Sequence, residues 1–265
     1  MLKLSSKTIN RGLNIQAGLV IFIIFLFAFN KKDDNYIEML KKKVPGYERH
    51  ITGSFAQMWK PMALQMVKEY KLNNGIAIDI GSSTSPFLIE LAGVTEMRCY
   101  ALDINPWAMR LLGVFVDEAG LTGRVIPVEG DWQSMPFSDG YADFIFSRGT
   151  IPFVDNKTKA LRETYRVLKP GGTAYIGHGG FGTLIDPKNR KILVQQRLRW
   201  ETPEGNKPSG WDGPKEGLLD LAREAGIPED SYRLITEPDI GWWLEIHKKV
   251  EKNHINGSFP PDNDL

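Results

Sequence analysis

Short apolar segments alternate with longer amphipathic segments along most of this 265-residue chain. The apolar segments have the length and composition of buried β-strands, whereas the segments between them carry apolar residues at helical spacing. This alternation is typical of βα units, in which strands pair in parallel and helices cover the sheet. The sequence predicts strands over residues 76–80, 98–104, 124–128, 142–146, 173–176, 232–236 and 242–247.

Helices are predicted between these strands, over residues 86–92, 106–118, 157–168 and 215–225. With the closing pair of strands, they predict an α/β fold with a Rossmann-like, seven-stranded, mostly parallel sheet. Its last strand is expected to be antiparallel, and its helices are expected on both faces. Ligands of such sheets bind beyond the carboxyl ends of the strands, so residues that follow strands are the candidates for function.

The charge and cysteine content exclude several classes of protein. Thirty-three basic residues against 32 acidic ones give a net charge of +1, which lacks the basic excess typical of duplex binding, so we expect no nucleic-acid partner. The single cysteine, Cys99, cannot form an intramolecular disulfide or a cysteine-based zinc site. We therefore expect a reducing compartment and no bound metal. No G-x-x-x-x-G-K-[ST] motif occurs, which excludes the P-loop nucleotide enzymes.

One uncharged apolar segment lies near the N-terminus, where residues 17–29 read AGLVIFIIFLFAF. Counted from Leu13, the segment reaches the lower limit for crossing a hydrocarbon core of about 30 Å. We expect a single-pass anchor over residues 13–29, with an interfacial helix and a signal peptide as the alternatives. Basic residues are more numerous after the segment than before it, which predicts that the larger C-terminal part is cytoplasmic.

The domain organisation predicted from these segments has four parts. Residues 1–30 form the membrane anchor, and the charged residues 31–50 form a juxtamembrane linker or short helix. A globular domain occupies residues 51–250, and the polar, proline-containing residues 251–265 form a flexible tail.

The first predicted strand runs into small residues in the segment AIDIGSSTS, which places Gly81 at the start of a βα turn. Such a turn lets backbone N–H groups approach a ligand. Asp103 follows Gly81 by 22 residues and closes the second strand, where a carboxylate can accept the hydroxyl groups of a ribose. The alternative is that Asp103 caps the helix that begins at Pro106.

Four segments occur in order, each at a strand end: DIGSS, LDIN, GDWQSMPFSDGYADFIFSRG and RETYRVLKPGG. Their spacing resembles the class I S-adenosylmethionine-dependent methyltransferases, in particular the small-molecule type that includes quinone-biosynthesis methyltransferases. The resemblance covers about residues 51–247. It implies that the globular domain is a methyltransferase domain and that its cofactor is S-adenosyl-L-methionine.

The resemblance also implies a set of cofactor-binding residues at the ends of the first four strands. They are Asp79, Gly81, Ser82 and Ser83 at the methionine part, Asp103 at the ribose, Asp131, Ile104 and Trp132 at the adenine, and Ser147, Arg148 and Gly149 beneath the sulfonium. The family usually has glycines at the positions of Ser83 and Ser85. The loop is therefore less permissive, or it uses serine hydroxyls as extra hydrogen-bond donors.

Methyl transfer from a sulfonium requires in-line approach and exclusion of water more than it requires a base. The candidate base is His178, which follows the fifth strand; the alternative is a solvated loop histidine. Arg148 has alternatives too, since it could bind an anionic group of the substrate or the cofactor carboxylate, or pair with Asp143 or Asp155.

Three large aromatic residues are candidates for the wall of an apolar acceptor pocket, with a place in the core as the alternative for each. They are Trp59, Phe153 and Trp211.

The expected function is methyl transfer to a small or lipid-soluble acceptor at the cytoplasmic face of a membrane. Anchoring raises the concentration of enzyme near a membrane-bound substrate, or it joins the chain to a membrane protein complex. One alternative is a non-catalytic scaffold that binds S-adenosylmethionine. The other is an NAD-type dehydrogenase, against which the segment GDWQSMPF argues.

Overall fold

The computed structural model describes residues 34–53, 55–201, 217–237 and 241–250. The chain divides into two compact units, residues 1–43 and 44–265. The described part of the first unit is one helix, α1 (Asp34–Lys43), whose last turn holds three lysines. The predicted anchor over residues 13–29, the tail over 251–265 and Trp211 lie outside the described residues. Within the described residues, no helix combines the length and the apolar character that crossing a membrane requires.

The second unit begins with helical segments and continues as alternating strands and helices. In chain order they are α2 (Tyr47–Ile51), a 3₁₀ turn (Ala56–Met58), α3 (Trp59–Tyr70), β1 (Ile76–Ile80), α4 (Pro86–Val94), β2 (Arg98–Asp103), α5 (Pro106–Glu118), β3 (Val125–Glu129), β4 (Ala142–Arg148), α6 (Lys157–Val167), β5 (Leu168–Gly177), α7 (Pro187–Glu201), α8 (Gly217–Glu224), β6 (Tyr232–Glu237) and β7 (Gly241–His247).

All seven strands form one sheet in the order β3-β2-β1-β4-β5-β7-β6. The first five strands pair in parallel, and β7 pairs antiparallel with both β5 and β6. The predicted seven-stranded, mostly parallel sheet with an antiparallel last strand is therefore confirmed. The chain runs outward from β1 to β3 and returns to β4 on the other side of β1, which makes the β1/β4 junction the point where ligands of such sheets bind.

The start of β5 differs from its prediction, because the strand begins at Leu168 rather than at residue 173. Ala142 of β4 pairs with Leu168, whereas Phe144 pairs with Thr173, so the register shifts between these two pairs. The intervening KPGG segment bulges out of the ladder, as a proline without an N–H group and a left-handed glycine allow. The helix ends before this segment, as the sequence predicts.

The centre of the sheet is buried on both faces, as in other parallel sheets. One face carries a ring cluster in which Phe87 stacks on Phe146 at 3.9 Å and Tyr175 stacks on Trp243 at 4.4 Å between centroids. Gly177 leaves room for the Trp243 ring, since any side chain at residue 177 would overlap it.

Cys99 lies inside β2 and is fully buried, which agrees with packing as a small hydrophobic residue. Burial raises the pKa of its thiol to about 12.

Candidate functional site

A cavity of about 560 Å³ opens at the carboxyl ends of the parallel strands, next to the β1/β4 junction. Its walls come from the loops after β1, β2, β3, β4 and β5, and from the helical segment between His50 and Trp59. A volume of this size suits a ligand the size of a nucleoside with a side chain.

The loop after β1 has an unusual backbone. Gly81, Ser83 and Ser85 all have left-handed conformations, with φ of 64°, 49° and 38°. Gly81 is required, because a side chain there would overlap Thr150. For serine the left-handed region costs about 1–2 kcal/mol per residue, so other contacts must hold this loop in place.

Asp103, at the end of β2, supplies two of these contacts. Its Oδ2 accepts a hydrogen bond from the backbone N–H of Ser83 at 2.8 Å, and its Oδ1 accepts one from the N–H of Asn105 at 2.8 Å. The α5 helix is capped by the side chain of Asn105, which accepts from the N–H of Trp107. The capping alternative for Asp103 is therefore wrong; its carboxylate joins the loops after β1 and β2 at the cavity wall.

Asp79, near the end of β1, is a buried carboxylate that lines the same cavity. Its Oδ2 accepts a hydrogen bond from the Ser85 hydroxyl at 2.8 Å. Burial raises the pKa of Asp79 to about 7; the Ser85 hydrogen bond acts in the opposite direction, and the nearby Asp103 raises it further.

The loop after β3 provides both apolar and polar groups. Trp132 is buried, and its Nε1 donates to Thr164 Oγ1 at 2.8 Å, which fixes the ring against α6. Asp131 is exposed at the cavity and accepts from the backbone N–H of Gln133 at 2.9 Å. Ile104, after β2, also lines the cavity and is 72% exposed, so its apolar surface is uncovered.

The three candidate residues at the end of β4 differ in whether they line the cavity. Arg148 and Gly149 line the cavity, whereas Ser147 is fully buried and donates its hydroxyl to the Ile80 carbonyl at 3.0 Å. Ser147 is not among the cavity-lining residues, because successive side chains of a strand point to opposite faces. It serves as a link between β4 and β1.

Arg148 lies among aromatic rings. Its guanidinium carbon is 5.3–5.5 Å from the ring centroids of Phe55, Trp59 and Phe181. Its Nε and Nη2 donate to the carbonyls of Gly180 and Gly179 at 2.7 and 3.1 Å. Rings and carbonyls together offset the cost of bringing this charge out of water.

Asp143, one of the acidic partners considered for Arg148, bonds elsewhere. It accepts from Lys169 Nζ at 2.7 Å and from the backbone N–H of Ile76 at 2.7 Å. The other, Asp155, lines the same cavity as Arg148.

The remaining candidates line the cavity near the ends of β4 and β5. His178 lines the cavity and stacks on Trp242, with 4.7 Å between centroids and 5° between planes. Trp59 is buried and donates its Nε1 to the His50 carbonyl at 2.9 Å, whereas Phe153 is 59% exposed at the cavity.

Several cavity residues were not identified from the sequence, namely His50, Phe55, Gln133, Thr150 and Pro152. Gln133 and Thr150 lie in the loops that follow β3 and β4, so the strand-end rule could have found them. His50 and Phe55 precede the first strand and reach the cavity only through tertiary packing.

The comparisons with known proteins agree with this architecture. Residues 78–176 match a family model described as a methyltransferase domain. A ubiquinone/menaquinone biosynthesis C-methyltransferase of Geotalea daltonii is 26% identical over 156 residues, which are 57% of this chain and 66% of the relative. A malonyl-[acyl-carrier protein] O-methyltransferase of Methylococcus capsulatus is 29% identical over 129 residues, 48% of this chain and 42% of the relative.

The chain thus spans less than two thirds of the length of the first curated relatives it matches. A solved structure gives a longer match. The crystal structure of a protein from Methanococcus maripaludis, assigned to the S-adenosyl-L-methionine-dependent methyltransferases, is 30% identical with a TM-score of 0.70. This match covers 80% of the present chain and 95% of the Methanococcus chain.

Proposed function

This chain belongs to the S-adenosylmethionine-dependent methyltransferases, and we propose that it methylates a small, lipid-soluble acceptor at the cytoplasmic face of a membrane. Membership of this family excludes the alternative of an NAD-type dehydrogenase. The acceptor and the membrane location are the new parts of the proposal.

The cavity residues fit the family's methyl donor in charge and polarity. S-adenosylmethionine carries positive charge on its sulfonium and α-ammonium groups, and the buried carboxylate of Asp79 supplies a negative counterpart. The Asp103 carboxylate lies at the end of the neighbouring strand, where it can meet ribose hydroxyls. Ile104 and Trp132 offer apolar surface for a purine, and Asp131 offers an acceptor for an amino group.

The observation that carries the proposal is that one cavity collects these donor residues and an aromatic wall. When bound, the donor supplies a methyl group already activated for transfer. The chain then has to hold the acceptor in line and keep water out. His178, which follows β5 on the aromatic side, is positioned to take a proton from a hydroxyl or amine acceptor.

The aromatic side of the cavity supports an apolar acceptor. It is lined by His50, Phe55, Trp59 and Phe153, and Phe153 is 59% exposed. An exposed large ring in a concave site favours a ligand that covers it.

The apolar segment over residues 13–29 supports a membrane location for the acceptor. The three lysines in the last turn of α1 follow it closely in sequence and could bind anionic lipid headgroups. An anchored enzyme meets a lipid-soluble substrate at a high effective concentration.

The proposal is tested with the full-length chain in lipid nanodiscs and donor labelled in its methyl group. We expect S-adenosylmethionine, but not NADH, to bind in a calorimetric titration. We also expect label to enter the organic phase of a membrane extract, with a mass increase of one methyl group. Label only in water-soluble products would contradict the lipid-soluble acceptor.

The left-handed serines of the donor loop favour one second candidate, a scaffold that binds the donor without turnover. Donor binding with no labelled product from either the lipid or the aqueous extract would support the scaffold and contradict the enzyme.

A further inference from the structure

Ser85 departs from two ordinary preferences of a serine at the start of a helix. An N-cap serine normally has an extended backbone, and its oxygen accepts a hydrogen bond from an N–H group of the first turn. Ser85 is the N-cap residue of α4, but its φ and ψ are 38° and 56°, and its side chain makes no capping hydrogen bond.

The Ser85 hydroxyl instead bonds to Asp79. The Oγ to Oδ2 distance is 2.8 Å, and both residues are buried. Residues held in a disfavoured backbone region persist where the surroundings fix them, and they cluster at ligand-binding sites. The family usually has glycine here, which would adopt this backbone without strain but could not reach Asp79.

The hydrogen bond bears on the charge of Asp79. Burial favours the neutral carboxyl, whereas a hydroxyl that donates to the carboxylate favours the ionised form. The donor's methionine part is cationic, so an ionised Asp79 attracts it and a neutral Asp79 does not. The Ser85 hydrogen bond therefore favours the ionised form of Asp79, which is the form that attracts the cationic donor.

We propose that Ser85 is a positioning residue, which holds Asp79 as a carboxylate turned toward the cationic part of S-adenosylmethionine and thereby sets the affinity for the donor. The inference rests on the donor binding proposed above and concerns Ser85, at a position where the family usually has glycine.

Other ionisable groups near Asp79 belong to several elements. On β2, the charge of Asp103 raises the pKa of Asp79, and the charge of Asp79 in turn raises the pKa of the Cys99 thiol. The remaining charged or titratable residues that line the cavity are Asp131 after β3, Arg148 on β4, Asp155 before α6, His178 after β5 and His50 on α2.

The test uses Ser85→Ala and Ser85→Gly in the full chain. Ser85→Ala removes the hydroxyl and keeps the backbone strain, whereas Ser85→Gly removes both, so at least one variant is expected to fold well. The matched control is Lys71→Gly. Lys71 ends α3 with a left-handed φ of 53° and does not line the cavity, so this variant relieves a similar strain elsewhere.

Calorimetric titrations between pH 6 and pH 9 compare three ligands for each variant. S-adenosylmethionine carries both cationic groups, S-adenosylhomocysteine carries only the ammonium, and methylthioadenosine carries neither. We expect both Ser85 variants to bind S-adenosylmethionine about tenfold more weakly at pH 7, as loss of a hydrogen bond to a charged group would produce. The midpoint of the pH dependence should move upward, and methylthioadenosine binding should not change.

The result for S-adenosylhomocysteine identifies the cationic group. A loss equal to that of S-adenosylmethionine assigns the contact to the ammonium, and no loss assigns it to the sulfonium; both support the inference. An equal loss for methylthioadenosine, or unchanged affinity and pH midpoint in both Ser85 variants while the wild-type chain binds the donor, would overturn it. Failure of the wild-type chain to bind S-adenosylmethionine would overturn the proposed function and this inference with it.

Discussion

The Asp103 carboxylate lies 2.8 Å from the backbone nitrogen of Ser83, which follows Gly81 by two residues in the loop after the neighbouring strand β1. One acidic side chain thus fixes the loop after β1 and also faces the cavity. We therefore expect donor binding and loop structure to depend on the same group.

Asp103→Asn should therefore weaken both donor binding and the structure of the loop after β1. An amide has one acceptor oxygen, so its NH₂ group would face one of the two backbone donors that Asp103 now serves. We expect a loss of about 1–3 kcal/mol in the free energy of unfolding and a donor Kd roughly a hundredfold higher. Thermal melts and calorimetry measure the two effects. The control is Asp117→Asn, an exposed α5 carboxylate bonded to Thr122; equal effects in both variants would contradict this role.

Asp79→Asn should stabilise the folded chain at high pH. In the unfolded chain Asp79 titrates near its ordinary pKa of 3.8, whereas in the folded chain burial raises the pKa to about 7. The folded state therefore binds this proton more tightly, so the free energy of unfolding falls as pH rises from about 4 to 7.

Above pH 7 the folded chain bears the full cost of burying the ionised Asp79 carboxylate. Removing this charge should raise the free energy of unfolding by about 2–4 kcal/mol. At pH 4 the wild-type chain and the variant should differ little. Urea titrations at pH 4.5 and pH 8 test this, and a gain of equal size at both values would exclude titration of Asp79 as the cause. The same variant should lose donor binding.

Gly81→Ala should cost more stability than its backbone conformation alone explains. Gly81 has φ of 64°, and an added Cβ would overlap Thr150. Gly120 has φ of 67° with open space around it, so Gly120→Ala measures the backbone part, about 1 kcal/mol. We expect roughly 3 kcal/mol or more for Gly81→Ala, with partial recovery when Thr150→Gly is added. Equal melting temperatures for the two alanine variants would show that Thr150 does not restrict the loop.

His178→Asn should lower methyl transfer and leave donor binding within about twofold, since the ring stacks on Trp242 on the aromatic side of the cavity. A general base contributes about 10²-fold or more to the rate, so we expect the rate to fall by about that factor. Single-turnover rates with labelled donor measure this. His247→Asn, at an exposed position of β7, is the control. An unchanged rate in His178→Asn would remove the histidine from the mechanism.

Periodicity was sufficient to locate the strands, because buried parallel strands must be apolar and must alternate with helices. The bounds of β1 agree at both ends, and α5 agrees as well, since Asn105 and Pro106 are clear helix-start signals. The bulge before Thr173 depends on how β5 meets β4, so no local pattern could reveal it.

Most of the residues proposed to bind the donor were predictable from the sequence, whereas only Trp59 and Phe153 of the aromatic wall were. Asp79, Asp103 and Asp131 each follow or end a strand, so topology alone brings them to one edge. Ser147 also ends a strand, but the alternation of side chains turns it away from the cavity. His50 and Phe55 reach the cavity because the segment before α3 packs over the ends of β4 and β5, which is a property of the assembled fold.

The position of β7 between β5 and β6 has a consequence for biosynthesis. During translation β5 emerges with one edge unpaired, and the strand that will cover it, β7, is synthesised only after α7, α8 and β6. Until Trp243 packs against Gly177, the nascent chain exposes the edge of β5 and the neighbouring ring of Tyr175. We therefore expect the sheet, and with it the wall of the cavity at the end of β5, to be completed only after β7 has been synthesised.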